Sequence, residues 1–214
     1  HLLSRRQRQM CIRDRYDEFQ KMMQSIKGAE ISTAGFTDKT TKNNLDLVKW
    51  CENAYKNGWG YVYGGYGQVC TKQYLDQQAS LYPGNNEAGS EMRQVGEKWL
   101  GKRVVDCIGL IKSYAWYNAD SDQITVGSNG FTDCGANTIR NNVKEGGAIS
   151  TMPDIPGLAV WMDGHIGVYV GNGEVVEAQG TAYGVVKTQL KNRGWTKWMK
   201  IPNIKYIEDK ESKK

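Results

Sequence analysis

GHIGVYVGNGEVVEAQG, residues 164–180, is the stretch on which the fold turns. Two runs rich in β-branched residues, Ile166 to Val170 and Glu174 to Gln179, flank Gly171-Asn172-Gly173, the signature of a β-hairpin. With those three residues as the loop, Val170 pairs with Glu174 and opposed residue numbers sum to 344. His165 then faces Gln179, and Gly167 faces Glu177. All four lie on one side of the hairpin, while Ile166, Val168 and Val170 point into a core. Gly167 has no side chain, which leaves Glu177 room to lean diagonally toward the imidazole. A two-residue Asn-Gly turn would instead slip the register by one and turn Glu177 away from His165.

The pattern continues outward from the hairpin. Leu158 to Trp161 and Gly184 to Thr188 read as neighbouring strands, with MDGH as a second tight turn and a last strand near Trp198 to Ile201. Upstream the period is helical. Asn43 or Asn44 caps a helix carrying Leu45, Val48, Cys51, Ala54 and Tyr55, ended by Asn57-Gly58. Helices are expected near 72–82, stopped by Pro83-Gly84, and near 90–100, capped by Ser90 and stopped by Gly101. Another opens at Asp106 with Ile108, Ile111, Tyr114 and Ala115 as its stripe, and a short polar one lies near 135–145. The segment WGYVYGGYGQ reads as an irregular loop, as do residues 118–133. Helices first and an antiparallel sheet after them is an α+β arrangement.

Composition bounds the function. A chain of 214 residues, 39% hydrophobic and 24% charged, can bury a core without staples, and no apolar run is long enough for a membrane span. Residues 1–15 hold five Arg against one Asp, so +4 of the net +5 sits there and the other 199 residues carry +1. That opening, with its RRQRQMCIRDR, resembles a translated library adapter, so it implies no nucleic-acid partner. No secretory h-region follows it. Residues 16–44 read as a polar extension with a short amphipathic stretch around Phe19, Met22, Met23 and Ile26, residues 45–206 as the main folded domain, and 207–214 as a charged tail. Five Cys without a CxxC pair suggest neither a disulfide framework nor a zinc cluster, and leave a single bridge among Cys51, Cys70 and Cys134 open. No cofactor or metal is called for, and the chain is expected to act as a monomer.

Chemistry concentrates on few residues. Cys107 opens a helix, where unsatisfied N–H groups and the macrodipole favour a thiolate. Such a nucleophile needs a base, and of the two His residues only His165 lies outside the adapter-like segment. A third polar group must orient that ring, and Glu177 and Gln179 are the candidates. Trp50, Trp99, Trp116 and Trp161 occupy core positions, whereas Trp59, Trp195 and Trp198 are candidates to line a groove.

With these residues in view, the chain from Leu45 to Tyr206 resembles the NlpC/P60 family of papain-like cysteine peptidases. YVYGG (61–65), DCIGL (106–110), PGLAVW (156–161), GHIGVYVGNG (164–173) and VVEAQG (175–180) carry the resemblance by their order and spacing. It implies a papain-like α+β fold, N-terminal helices packed on a C-terminal antiparallel sheet. It also implies hydrolysis of bacterial peptidoglycan stem peptides, typically between D-γ-glutamate and the following diamino acid, whether meso-diaminopimelate or lysine. Cys107 matches the nucleophile, His165 the base and Glu177 the third position, where His, Asn or Gln is usual. Tyr61 matches the substrate-contacting Tyr, and Asp106 the residue that meets the stem peptide's amine. Gln179 is held in reserve for the third position and as a substrate contact. Ile108 stands where Ser is common. The rival readings are an N-acetylmuramoyl-L-alanine amidase or amide/acyl transferase with the same Cys–His pair, and a non-catalytic peptidoglycan-binding module. The expected location is the cell wall, with a phage-type endolysin as one route to it.

Overall fold

The computed structural model describes residues 29, 31–86 and 96–208. The adapter-like segment, the stretch around Phe19 to Ile26, the Ser90 cap and most of the charged tail lie outside them.

Helix α1 (Asn44–Lys56) begins where Asn43, in extended conformation, accepts the Asp46 N–H with its side chain. Asp46 in turn accepts the backbone N–H groups of Thr37 and Asp38, which ties the preceding extension to the helix start. Its buried stripe is Leu47, Trp50, Cys51 and Ala54, rotated from the expected one, with Leu45 and Val48 half-buried and Tyr55 exposed. Trp50 causes the rotation. Its indole N–H donates to Ser113 Oγ at 2.8 Å, and its ring meets Trp59, Tyr114 and Tyr117.

The glycine-rich segment is not irregular. It contains β1 (Gly60–Tyr61) and β2 (Tyr66–Val69), joined through a turn with Gly64 at φ +81°. Helix α2 (Lys72–Leu81), capped by Thr71, ends at Tyr82 as expected, but Pro83 opens a further turn, α3 (Pro83–Asn86), instead of a coil. Of the helix expected near 90–100 the described part is one 3₁₀ turn, Glu97–Trp99. Strand β3 (Arg103–Val105) then enters between β1 and β2, parallel to the first and antiparallel to the second. Helix α4 (Gly109–Ala115) is buried along its whole length. The expected 118–133 loop holds a small hairpin, β4 (Tyr117–Asn118) with β5 (Gln123–Ile124), before α5 (Ala136–Asn141).

The C-terminal half is a six-stranded sheet: β6 (Gly146–Ala148), β7 (Ala159–Met162), β8 (His165–Gly171), β9 (Glu174–Gly180), β10 (Gly184–Gln189) and β11 (Lys197–Met199), in the order β10-β9-β8-β7-β11-β6. Every neighbouring pair is antiparallel. Ile166, Val168, Val176, Ala178 and Val185 face α1 and α4 in the main core. Leu158, Val160, Tyr169, Val175 and Trp195 form a second cluster, so the sheet is covered on both sides. Trp59 and Trp195 are buried, so neither offers an open face for a glycan, and Trp198 is half-buried. Cys51, Cys70, Cys107 and Cys134 are free thiols. Among the described residues no helix is long and apolar enough to cross a membrane.

Candidate active site

The β8–β9 hairpin combines features that the sequence presents as alternatives. Its loop is the two-residue turn Asn172-Gly173, both at positive φ (+54° and +71°), with Gly171 opposite Glu174. The three-residue loop is therefore absent. The register nevertheless shifts between Gly171 and Tyr169, so that Tyr169 pairs with Val175 and Val168 with Val176. A β-bulge at Val170–Gly171 absorbs the residue that the short turn would otherwise slip. Opposed numbers again sum to 344, and a Cβ placed on Gly167 would meet Glu177 Cβ at 3.2 Å.

Glu177 thus reaches the imidazole. His165 Nε2 lies 2.6 Å from Glu177 Oε2, and the carboxylate is wholly buried. The same oxygen accepts from Arg193 Nη2 at 2.8 Å, while Oε1 accepts from Thr188 Oγ1 at 2.7 Å. Burial alone would push the Glu177 carboxyl up. The bonds from His165, Arg193 and Thr188 outweigh it and hold the group below its ordinary value. The His165 ring stacks on Trp195, centroids 5.5 Å apart and planes 13° from parallel. Nδ1 is left as the nitrogen without a partner in the described protein. The turn before His165 is held by Asn137, which accepts Gly164 N–H at 2.9 Å and donates to Asp163 at 3.0 Å.

Cys107 sits two residues before α4, half-buried, its Sγ 4.0 Å from the Gly164 carbonyl oxygen, one residue from His165. The expected ionisation by the helix end is not found. Asp106 takes that end instead, its Oδ1 accepting Gly109 N–H at 2.6 Å. Burial, reinforced by the Asp106 charge, pushes the Cys107 thiol up to about 12, although N–H groups of Ile108, Ile166 and Cys107 itself oppose the rise. Asp106 Oδ2 also accepts Gly64 N–H at 2.9 Å, so both its oxygens serve the backbone.

These bonds lock two glycine motifs together. Asp106 N–H donates to the Gly65 carbonyl at 2.8 Å, and a Cβ on Gly109 would stand 1.8 Å from that oxygen. Ala at 109 must displace backbone that three hydrogen bonds fix. Gly109→Ala is expected to cost about 3 kcal/mol, a fall in Tm of roughly 6–12 °C for a domain of this size. A thermal melt indistinguishable from wild type would show that the two motifs are not coupled in this way.

Comparison with known proteins places the chain. The model of the NlpC/P60 family matches residues 58–203. The chain belongs to the NlpC/P60 family. Members of that family are generally cysteine peptidases acting on peptidoglycan. No curated protein matches the chain. Among solved structures, the NlpC/p60 domain of peptidoglycan hydrolase SagA is 13% identical over 74% of this chain and 99% of its own, with a TM-score of 0.39. NlpC2 from Trichomonas vaginalis is 15% identical over 76% of this chain and 50% of its own, with a TM-score of 0.41.

In this NlpC/P60 domain Cys107, His165, Asp106 and Tyr61 line one cavity of about 820 Å³. Burial, with Cys107 and Asp106 nearby, pushes the Tyr61 phenol up, so it stays a neutral hydrogen-bonding group. Tyr63 and Tyr82, in edge contact at 5.2 Å, and the Lys112–Asp133 ion pair extend the walls. Gln179 is half-buried on β9, away from the cavity lining, with no hydrogen bond to the ring among the described residues. The sequence pattern does not single out Arg193, Thr188 or Asn137, and it makes Trp195 a candidate groove residue, whereas the structure puts it under the imidazole as a platform. Arg193 and Trp195 lie in a connection, Thr188 near the end of β10 and Asn137 in the first turn of α5, positions whose direction no periodic signal gives. Among the described residues no group of three or more His, Cys, Asp or Glu could hold a metal ion.

Proposed function

We propose that this chain is a cysteine endopeptidase that cleaves the D-γ-glutamyl–diamino acid bond of peptidoglycan stem peptides, with Cys107 as nucleophile, His165 as base and Glu177 as its orienting partner. The observation that carries this reading is the imidazole itself. Its Nε2 is held by a buried carboxylate while Nδ1 remains for the thiol across the shared cavity.

Because burial keeps the resting thiol protonated, attack and proton transfer are coupled. The Cys107 proton passes to Nδ1 as sulfur bonds to the amide carbon. The resulting oxyanion is received by backbone N–H groups beside the sulfur, those of Cys107 and Ile108 being the nearest in sequence. Collapse breaks the C–N bond, and the leaving amine takes the proton from Nδ1. Water, deprotonated by the same nitrogen, then cleaves the thioester and restores the thiol. Tyr61 and the Tyr63–Tyr82 pair supply walls for the peptide. Asp106 shapes the cavity by holding Gly64 and Gly109, and a contact to the substrate's amine comes in addition to those bonds. The bond lies in the cell wall, and an exported enzyme and a phage-type lysin would meet it equally.

Mass spectrometry of digested muropeptides is the test. The expected product is a new amino terminus on the diamino acid, with L-alanine-D-glutamate left on the other fragment. A free amine on L-alanine would make the chain an amidase, and binding without release would make it a wall-binding module. Either result overturns the proposal.

A further inference from the structure

We propose that Arg193 is a positioning residue for this reaction: by sharing Glu177 Oε2 with the imidazole, its guanidinium limits how tightly the carboxylate holds His165 in the protonated form. The inference rests on the reading of His165 as base. Arg193 Nη2 and His165 Nε2 lie 2.8 and 2.6 Å from one and the same oxygen. Arg193 also stands 5.8 Å over the Trp195 ring on which the imidazole stacks, so one indole steadies both donors. Its side chain is only a quarter exposed, and that of Glu177 is fully buried, so solvent screens the pair weakly.

The physical problem is that a buried carboxylate with no second partner favours the imidazolium, and a ring locked in that form cannot take the thiol proton. A cation on the same oxygen offsets this. Other ionisable groups near the ring are already engaged or distant in effect. Asp106 and Cys107 lie before α4, with both Asp106 oxygens on backbone N–H groups. Asp163, in the turn before β8, is bonded by Asn137. Lys112 and Asp133 across the cavity pair with each other. From β10 only the uncharged Thr188 reaches the carboxylate.

The test compares wild type with Arg193→Met and Arg193→Lys. The sequence has two His, so proton NMR follows both rings, with His165→Asn assigning the signal. In Arg193→Met the His165 titration is expected to move up by about one pH unit, and in Arg193→Lys to return most of the way. The acid limb of kcat/KM for muropeptide cleavage should follow, with roughly tenfold less activity one unit below the wild-type limb. A purely structural role would lower Tm and the plateau rate and leave both midpoints in place. Should Arg193→Met fail to fold, Arg193→Gln, which keeps a donor without the charge, is titrated instead with the same expectation. A folded variant whose titration is unmoved overturns the proposal. A shifted titration in a protein that cleaves no muropeptide overturns the peptidase reading and leaves the coupling standing, so the two failures are distinguishable.

Discussion

Cys107→Ala is expected to abolish release of stem peptides, lowering kcat/KM by at least about 10⁴-fold, the scale on which removal of a catalytic nucleophile acts. The same change should hardly touch the fold. The sulfur is half-buried and meets only backbone groups in the described structure, the Gly164 carbonyl at 4.0 Å and the N–H groups of Ile108, Ile166 and Cys107 itself. Truncation removes a single heavy atom from a cavity wall, and relieves the burial that pushes the thiol up to about 12. A stability change within about 1 kcal/mol follows. Activity and thermal melting measured on the same preparations separate loss of chemistry from loss of structure. Wild-type turnover in Cys107→Ala would remove the sulfur from the mechanism and with it the assignment of His165 as its base.

Much of this site is legible in sequence because it is local. The alternation around Gly171-Asn172-Gly173 shows a hairpin, and the 344 register brings Glu177 to the imidazole side. What the sequence does not show is how that register arises. Asn172-Gly173 demands a two-residue turn, which by itself puts Glu177 on the wrong face. Only the bulge at Val170–Gly171 reconciles turn and register. A bulge reports the packing of a whole sheet, and no residue type announces it. The rotated stripe of α1 has a similar origin, since Trp50 is drawn inward by Ser113, 63 positions away. Asp106 illustrates the opposite case. An Asp three residues before Gly109 is a readable cap as well as the residue that the resemblance assigns to the substrate's amine, and its charge at the helix end reinforces the burial that keeps the neighbouring thiol protonated at rest. Arg193 reaches Glu177 from a connection following a 3₁₀ turn, where composition says nothing about direction.

Glu177 is where the energetics of fold and site coincide, and two substitutions there should part company. In Glu177→Gln the amide oxygen can still accept from His165 and Arg193 while the amide nitrogen donates to Thr188 Oγ1. Orientation survives and the charge is lost. With Arg193 still beside the ring, the imidazolium loses its counter-ion, so the acid limb of kcat/KM moves to lower pH while the maximal rate falls about tenfold. In Glu177→Leu nothing holds Nε2. Arg193 loses its partner, the ring is free to turn on Trp195, and kcat/KM is expected to fall by about 10³-fold. Breaking a buried pair from one side costs on the order of 3 kcal/mol, read as a fall in Tm of roughly 6–12 °C. The pH dependence of that loss has a definite sign. The Glu177 carboxyl is held below its ordinary value of 4.5, so its contribution to stability is complete above that value and is lost as pH falls through the lower folded value. The gap in Tm between wild type and Glu177→Leu should therefore be widest near neutrality and narrow below about pH 4. A Leu variant with wild-type kcat/KM would show that His165 needs no carboxylate. A gap in Tm that stays constant into acid would show that the lost stability came from packing rather than charge.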